Sequence, residues 1–221
     1  MTVLLPFRLE LLAYHPERDA SFDGEFATDT AGSVATVDLG ITDAARREQA
    51  ILYLPSPASV TRWMLDNAAI EHRQFSFVDL GSGKGRVLLV ASEYPFQQVV
   101  GVEISAHLSA IARDNIARYR PSRRKCQDVR VANVDATAFE FPQTPLLVHL
   151  YHPFEPALTA AVLTRLEQSL ARAPRPVVIA YLLYESAEQS VEQVFARFPW
   201  LRKTRAEQSV LGQYNWLFYS N

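Results

Sequence analysis

The amino-acid sequence predicts an α/β protein, with a mostly parallel sheet and helices on both of its faces. From Phe75 onward, short apolar runs alternate with segments of helical periodicity, which is the order that βαβ units produce. The runs show little polar alternation, as expected of strands that are buried on both faces. Between the first run and the next helix stand three glycines, at positions 81, 83 and 85. Alternate glycines indicate a backbone that comes close to something other than protein.

The same patterns predict the elements in chain order. In the N-terminal part we expect a short strand over residues 33–40 and a helix over residues 58–67. The predicted strands that follow cover residues 75–80, 98–104, 129–136, 145–151, 176–184 and 215–220. The predicted helices between them cover residues 84–94, 156–173 and 187–198, together with one that Ser105 caps and that runs to about Tyr119.

Composition excludes several classes of protein. The 221 residues are 48% hydrophobic, which suits one large or two small domains with a substantial core. A net charge of −2 gives no field that would draw the protein to nucleic acid or an anionic membrane. One cysteine, Cys126, excludes an internal disulfide, and the histidines show no ligand spacing, so no metal is expected. The N-terminus lacks a basic n-region and no apolar run nears the ~20 residues of a membrane span. We therefore expect a soluble, cytoplasmic protein.

The glycine loop does not match the common phosphate-binding motifs. A dinucleotide fingerprint needs glycine at position 86, where this chain has Arg86, and "GSGKGR" is not a Walker loop. What remains is a turn that opens a helix, either with a small ligand against bare backbone or as a tight turn without a ligand. We expect Lys84 and Arg86 to be structural or to face solvent.

Two acids stand at the ends of the next strands. Glu103 lies 22 residues after Gly81, close to the ~20 residues expected of an acid that binds ribose hydroxyls. One carboxylate can accept from both hydroxyls, and such charge-assisted bonds contribute about 1.5–3 kcal/mol. Asp135 can accept from an adenine amino group. The alternatives are a solvated acid at a helix N-terminus for Glu103 and a common turn residue for Asp135.

Taken together, "VDLGSGKGR", "GVEIS" and "NVDATAF" resemble the three motifs of class I S-adenosylmethionine-dependent methyltransferases, from about Phe75 to the C-terminus. The resemblance implies a Rossmann-like, doubly wound sheet of seven strands, mostly parallel with the last strand antiparallel. It implies that Glu103 holds the ribose, that Ile104 packs on adenine, and that the methionine end lies along the glycine loop. The cofactor-binding residues implied are Asp79, Gly81, Ser82, Gly83, Gly85, Glu103, Ile104, Asp135 and Ala136. The cofactor has no phosphate, so an acid at position 79 is acceptable. We divide the chain into a cap, residues 1–70, and a methyltransferase domain, residues 71–221, and expect Tyr53 of the cap to face the cofactor.

The acceptor site is expected at "LYHPF", which ends the fourth predicted strand. Amino-group methyltransferases of this class often have Asn-Pro-Pro-aromatic here, and this chain has His152 in place of the asparagine. A residue before proline is pushed out of helical geometry, so the His152 carbonyl can accept from an amine. His152 can also act as a base, and Phe154 can offer its ring to a cation. With Tyr151, these are the candidate catalytic residues. A strand-ending turn with a packed aromatic is the alternative.

Several functions remain open from the sequence. "DLGSGKGR", "YPFQQVVGVEIS" and "LYHPF" resemble a bacterial group of unassigned substrate and, more distantly, the histone-lysine methyltransferases that lack the SET fold. Methyl transfer to a protein lysine or another amine is the first choice. The alternatives are a small-molecule O-methyltransferase, an NAD-dependent oxidoreductase and a cofactor-binding regulator without turnover. We expect neither membrane nor nucleic acid as a partner. The basic run from Arg118 to Lys125 fits a solvated helix end better than a site for an acidic partner.

Overall fold

The computed structural model describes residues 16–208 and 214–221, with side chains from residue 21 onward. Its centre is a seven-stranded sheet of order β3-β2-β1-β4-β5-β7-β6. The strands are β1 (Ser76–Leu80), β2 (Val99–Glu103), β3 (Val129–Asn133), β4 (Leu146–Tyr151), β5 (Val177–Tyr184), β6 (Arg202–Gln208) and β7 (Tyr214–Ser220). Neighbours from β3 to β5 pair in parallel, and β7 is antiparallel to both β5 and β6. The predicted fold class is confirmed.

Seven α-helices of the described chain flank this sheet. They are α1 (Pro16–Phe26), α2 (Ala44–Gln49), α3 (Ala58–Asp66), α4 (Arg86–Ala91), α5 (Ala106–Arg118), α6 (Pro156–Arg172) and α7 (Glu188–Phe195). Ser105 caps α5 as predicted, since its hydroxyl accepts from the Leu108 N–H at 3.2 Å. Pro156 stands at the start of α6, where its missing N–H costs no hydrogen bond. None of the helices in the described ranges combines the length and apolar character that crossing a bilayer requires.

The core consists of two apolar clusters, one on each face of the sheet. Along β1, Phe77 belongs to one cluster and Val78 to the other, because successive side chains of a strand point to opposite faces. Helices α6 and α7 cover the face of Val78, whereas α3 and α4 cover the face of Phe77. Phe22 of the N-terminal segment, defined here as residues 21–57, packs into the second cluster. The division of the chain at residue 70 stays a prediction.

The structure differs from the predicted elements in several places, and helices α1 and α2 were not predicted. The strand expected over residues 33–40 is wrong: this stretch has a single bridge between Val34 and Tyr53 and a 3-10 turn at Thr36–Asp38, since no neighbouring strand continues the pairing. Strand β6 was not predicted. The first helix after the glycine loop is shorter than expected and spans Arg86–Ala91. Residues 1–15, for which the sequence argued against a signal peptide, lie outside the described ranges.

The basic run after α5 serves mainly the helix end itself. Arg120 and Arg124 both donate to the carbonyl of Tyr119, at 3.0 Å each, and so satisfy a carbonyl that the helix leaves without a partner. Arg123 forms an ion pair with Glu93 at 2.8 Å. Three of the basic side chains are therefore held by this chain's own acceptors, and the choice between a solvated helix end and a site for an acidic partner stays a prediction.

Candidate functional site

A cleft of about 1090 Å³, partly open to solvent, lies at the carboxyl ends of β1, β2 and β4. This is where open α/β sheets bind their ligands. The strand ends and the loops that follow them form one wall. The N-terminal segment, from Leu39 to Ser56, forms much of the other.

Most of the predicted site residues line this cleft. From the glycine loop and the strand ends these are Asp79, Gly81, Ser82, Gly83, Glu103, Ile104, Asp135 and Ala136, and from the other predicted groups Tyr53, Tyr151, His152 and Phe154. Gly85 is the exception among the described residues. A Cβ at Gly85 would lie 3.1 Å from the Cβ of Ala112, so this glycine lets α4 and α5 pack closely behind the cleft.

The glycine loop needs its glycines for two physical reasons. Gly81, Gly83 and Gly85 have φ angles of 76°, 52° and 86°, in the left-handed region that side chains disfavour. A Cβ at Gly81 would also lie 2.5 Å from the Pro153 Cβ, and one at Gly83 would overlap the Tyr53 ring. The neighbours of these two glycines are therefore protein side chains, which differs from the expected approach to a group that is not protein.

Glu103 is a buried acid that is held by backbone donors. Its carboxylate accepts from the Gly83 N–H at 2.9 Å and the Ser105 N–H at 2.8 Å, which ties the glycine loop to the end of β2. The side chain is 7% exposed, and no Lys, Arg or His of the described chain forms an ion pair with it. Burial raises the pKa of Glu103 above its ordinary value of 4.5, and the backbone N–H groups of Ser105, Gly83 and Ile104 do not offset this. A carboxylate has about four lone-pair sites, so Glu103 can accept from a further donor.

Asp79 forms a buried pair with His149. Their positions are neighbours in the register of β1 and β4, and His149 Nδ1 lies 2.7 Å from Asp79 Oδ1. The sequence indicates no role for His149, which, like the other histidines, shows no metal-ligand spacing. The available signal was a polar residue in the middle of each of two apolar strands, but the pairing itself depends on strand order.

Asp135 is already engaged at both carboxylate oxygens. Its Oδ1 accepts from the Thr137 N–H at 2.8 Å and caps a short 3-10 turn, while Oδ2 lies 2.6 Å from Arg46 Nε. Arg46 reaches across from the N-terminal segment and also lines the cleft. The sequence did not identify Arg46. Next to this pair, Ile104 packs with Leu39 in a small apolar cluster.

The end of β4 has an unusual backbone. His152 has a φ of 36°, so it adopts the left-handed region and not the extended conformation that is usual before proline. Its Nδ1 lies 3.3 Å from the Tyr181 hydroxyl, and burial lowers the pKa of His152 below 6.5. Phe154 is 9% exposed and belongs to the core, although part of it reaches the cleft.

Three tyrosines cluster beside this turn. Tyr151 and Tyr184 line the cleft, and the ring of Tyr214 packs against both, with centroid distances of 5.7 and 4.5 Å. The cleft thus has a polar end with acids and glycines, and an aromatic end at β4 and β5.

Residues 56–143 match the model of the family described as "Histone methylation protein DOT1", which covers less than half of the chain. The matched part includes Asp79, Glu103 and Asp135 but ends before His152. No curated protein matches the sequence.

Solved structures resemble the chain over about three quarters of its length. A S-adenosylmethionine-dependent methyltransferase from Aquifex aeolicus superposes with a TM-score of 0.60 at 12% identity, over 80% of this chain and 93% of that one. The chain has the class I methyltransferase fold. A ribosomal protein L11 methylase from Lactobacillus delbrueckii subsp. bulgaricus gives a TM-score of 0.55 at 14% identity, over 74% and 77%. A RNA methyltransferase from Salinibacter ruber, solved with S-adenosyl-L-homocysteine, gives 0.50 at 21% identity, over 76% and 93%.

In this class I methyltransferase fold, two basic side chains join the N-terminal segment to the glycine loop. Arg86 is 6% exposed and donates from Nε to Thr30 Oγ1 at 2.7 Å. Lys84 donates from Nζ to Asp29 at 2.8 Å. Asn115 of α5 adds a bond from its side chain to the Asp29 carbonyl, also at 2.8 Å. Lys84 and Arg86 therefore have structural contacts that hold one wall of the cleft against the other.

Proposed function

We propose that this protein transfers the methyl group of S-adenosylmethionine to a nitrogen nucleophile, with a protein lysine or another amine as the first choice. One observation carries the proposal. Glu103 is a buried acid without a described cation partner, and it lies beside the glycine loop on the cleft of a class I methyltransferase fold. A buried acid with a raised pKa on a cleft is a candidate ligand-binding group.

Different residues of the cleft bind different parts of the cofactor. The remaining lone pairs of Glu103 accept the ribose hydroxyls, while Ile104 and Ala136 pack against the adenine. Asp135 accepts from the adenine amino group through the capacity that Thr137 and Arg46 leave on its oxygens. The methionine end lies along the glycine loop. The sulfonium is already a good electrophile, so the protein's contribution is orientation, which can supply about 7–11 kcal/mol.

The aromatic end of the cleft supports an amine as the acceptor. A protonated amine is attracted to the faces of Tyr151 and Tyr184 and must lose a proton before it attacks the methyl group. His152 is the candidate base, because its lowered pKa leaves the imidazole neutral at neutral pH. Phe154 contributes mainly by packing this turn against the core.

The cofactor assignment is tested by calorimetric titration of S-adenosylhomocysteine. The wild type is expected to bind this ligand. Glu103→Gln and Glu103→Ala are expected to bind it about 10- to 150-fold more weakly, because hydrogen bonds to a charged group contribute about 1.5–3 kcal/mol. Glu140→Gln is the control, because Glu140 is an exposed acid outside the cleft lining. Equal affinity of wild type and both Glu103 variants would contradict the ribose assignment. A parallel titration with NADH is expected to show no saturation; saturation would favour the oxidoreductase.

The acceptor is tested with cofactor that carries a tritiated methyl group, incubated with fractionated lysate. Label is expected in the protein fraction and is expected to decrease with His152→Ala. Structures of the same fold include a RNA methyltransferase and a predicted DNA methylase, so a nucleic-acid fraction belongs in the assay. Label there or in the small-molecule fraction would replace the protein acceptor. Tight cofactor binding without label in any fraction would favour the non-catalytic regulator.

A further inference from the structure

His149, a residue of the cleft lining, has one ring nitrogen without a hydrogen-bond partner among the described residues. His149 is 1% exposed, and its Nε2 is buried with no hydrogen-bond partner among the described residues. The other ring nitrogen, Nδ1, is 2.7 Å from Asp79 Oδ1. His149 and Asp79 both line the cleft. A buried polar atom left without a partner costs about 1–3 kcal/mol, so its presence at a cleft points to a missing ligand atom.

The pair determines which kind of group Nε2 can receive. With Asp79 ionised and the imidazole neutral, the Nδ1–H of His149 donates to Oδ1, so Nε2 carries the lone pair and acts as an acceptor. A second carboxylate, Glu103, lies on the same cleft, and the charge of Asp79 contributes to its raised pKa. The surroundings therefore favour a ligand group that is a hydrogen-bond donor and carries positive charge.

Burial limits the size of that group. His149 is 1% exposed and its ring lies near those of Phe77 and Trp216, at centroid distances of 6.2 and 5.8 Å, so a group that bonds to Nε2 must be small. A primary ammonium meets both requirements. Ser82 Oγ is a second buried atom of the cleft wall without a described partner, and it follows the same strand, β1.

We propose that His149 Nε2 accepts a hydrogen bond from the α-ammonium group of the bound S-adenosyl ligand, and that Asp79 positions the imidazole. This inference rests on the proposed function. It assigns the ammonium to a residue for which the sequence indicates no role in binding, and it makes Asp79, whose Oδ1 pairs with His149, a positioning residue.

The test compares two ligands across variants by calorimetry: S-adenosylhomocysteine, and its analogue in which hydrogen replaces the α-ammonium group. The wild type is expected to bind the first at least about 10-fold more tightly than the second. In His149→Phe this preference is expected to disappear, with little change in affinity for the analogue. His72→Phe is the control, since His72 contacts the Leu65 carbonyl away from the cleft lining. It is expected to keep the full preference.

Asp79→Asn gives a second measurement in case His149→Phe does not fold. It keeps an oxygen for the Nδ1–H but removes the charge, so the preference is expected to shrink. A preference that His149→Phe or Asp79→Asn leaves at the wild-type value would overturn the inference and leave the cofactor assignment intact. A wild type that binds neither S-adenosylhomocysteine nor S-adenosylmethionine would instead overturn the proposed function.

Discussion

Two buried glutamates, Glu93 and Glu103, differ in how the protein surrounds them. They are almost equally buried, at 6% and 7% exposure. Glu93 lies outside the cleft lining and accepts two hydrogen bonds from Arg62, both at 2.9 Å, as well as one from Tyr119 and an ion pair with Arg123. Glu103 has backbone N–H donors and no described cation.

Their pKa values shift in opposite directions as a result. Burial alone raises the pKa of Glu93, but the hydrogen bonds from Arg62 and Tyr119 outweigh it and hold the value below 4.5. For Glu103 burial prevails and the pKa lies above 4.5. Arginine side chains thus balance the charge of Glu93, whereas no described cation balances the charge of Glu103 on the cleft. This is the difference expected between a structural and a ligand-binding acid.

The largest effect is expected from removing the charge of the structural acid. Glu93→Gln leaves Arg62 and Arg123 without their counter-ion and is expected to lower the free energy of unfolding by about 3 kcal/mol, the lower end for a buried ion pair because Arg123 is half-exposed. Denaturant unfolding measures this loss of stability. The affinity for S-adenosylhomocysteine is expected to stay within about 2-fold of the wild-type value, well below a 10-fold change, which corresponds to about 1.4 kcal/mol.

Two outcomes would contradict this contrast. One is a loss no larger than that of Glu140→Gln, an exposed ion pair expected to contribute at most about 1 kcal/mol. The other is a drop in cofactor affinity as large as that of Glu103→Gln, which would mean that the two acids are not functionally separate.

The next largest effect concerns the loop that holds Glu103. Gly83→Ala combines a positive φ with overlap against Tyr53, and it is expected to cost about 2–3 kcal/mol and to weaken S-adenosylhomocysteine binding. Gly40→Ala, with a φ of 69° and open space around the Cβ, is expected to cost about 1–2 kcal/mol. Gly24→Ala, in helix α1 and also with open space, is expected to stabilise by about 0.4–1 kcal/mol.

Denaturant unfolding of these three variants separates overlap from backbone strain. Gly83→Ala combined with Tyr53→Ala is expected to recover the part of the loss that comes from overlap. If Gly83→Ala were no worse than Gly40→Ala, the close contact of Tyr53 with the loop would have no energetic weight.

The sequence predicted the parts of the fold whose residues carry their own pattern. Strands β1, β2, β4 and β5 are almost entirely buried and were found, as was the more exposed edge strand β3. Strand β6, "RKTRAEQ", lies at the other edge of the sheet with mostly exposed, charged side chains. Such a strand has no hydrophobic period, so only its pairing with β7 reveals it. Residues 33–40 show the opposite case: apolar and polar residues alternate regularly there, but no neighbouring strand pairs with them beyond a single bridge.

The same limit applies to the site. Glu103 could be found because it ends a strand 22 residues after Gly81, and Asp135 because it stands at the end of the next predicted strand. The Asp79–His149 pair joins residues 70 positions apart, through the register of β1 and β4, which are not consecutive strands. The ion pair of Arg46 with Asp135 depends on how the N-terminal segment crosses the cleft. No local pattern encodes either contact.

The smallest effect, and the most direct comparison of the two glutamates, is the pH dependence of stability. Glu93 has a folded-state pKa below 4.5, so its contribution is present above that pH and is lost as the pH falls. Glu103 has a raised pKa, so its contribution is present at low pH and is lost as the pH rises through the folded value. Each unit of pKa difference is worth about 1.4 kcal/mol.

Urea unfolding between about pH 4 and about pH 8 measures this effect. The free energy of unfolding of the wild type minus that of Glu93→Gln is expected to rise with pH, and the same difference for Glu103→Gln is expected to fall with pH. Slopes of the same sign would show that the surroundings of the two acids do not differ as the geometry indicates.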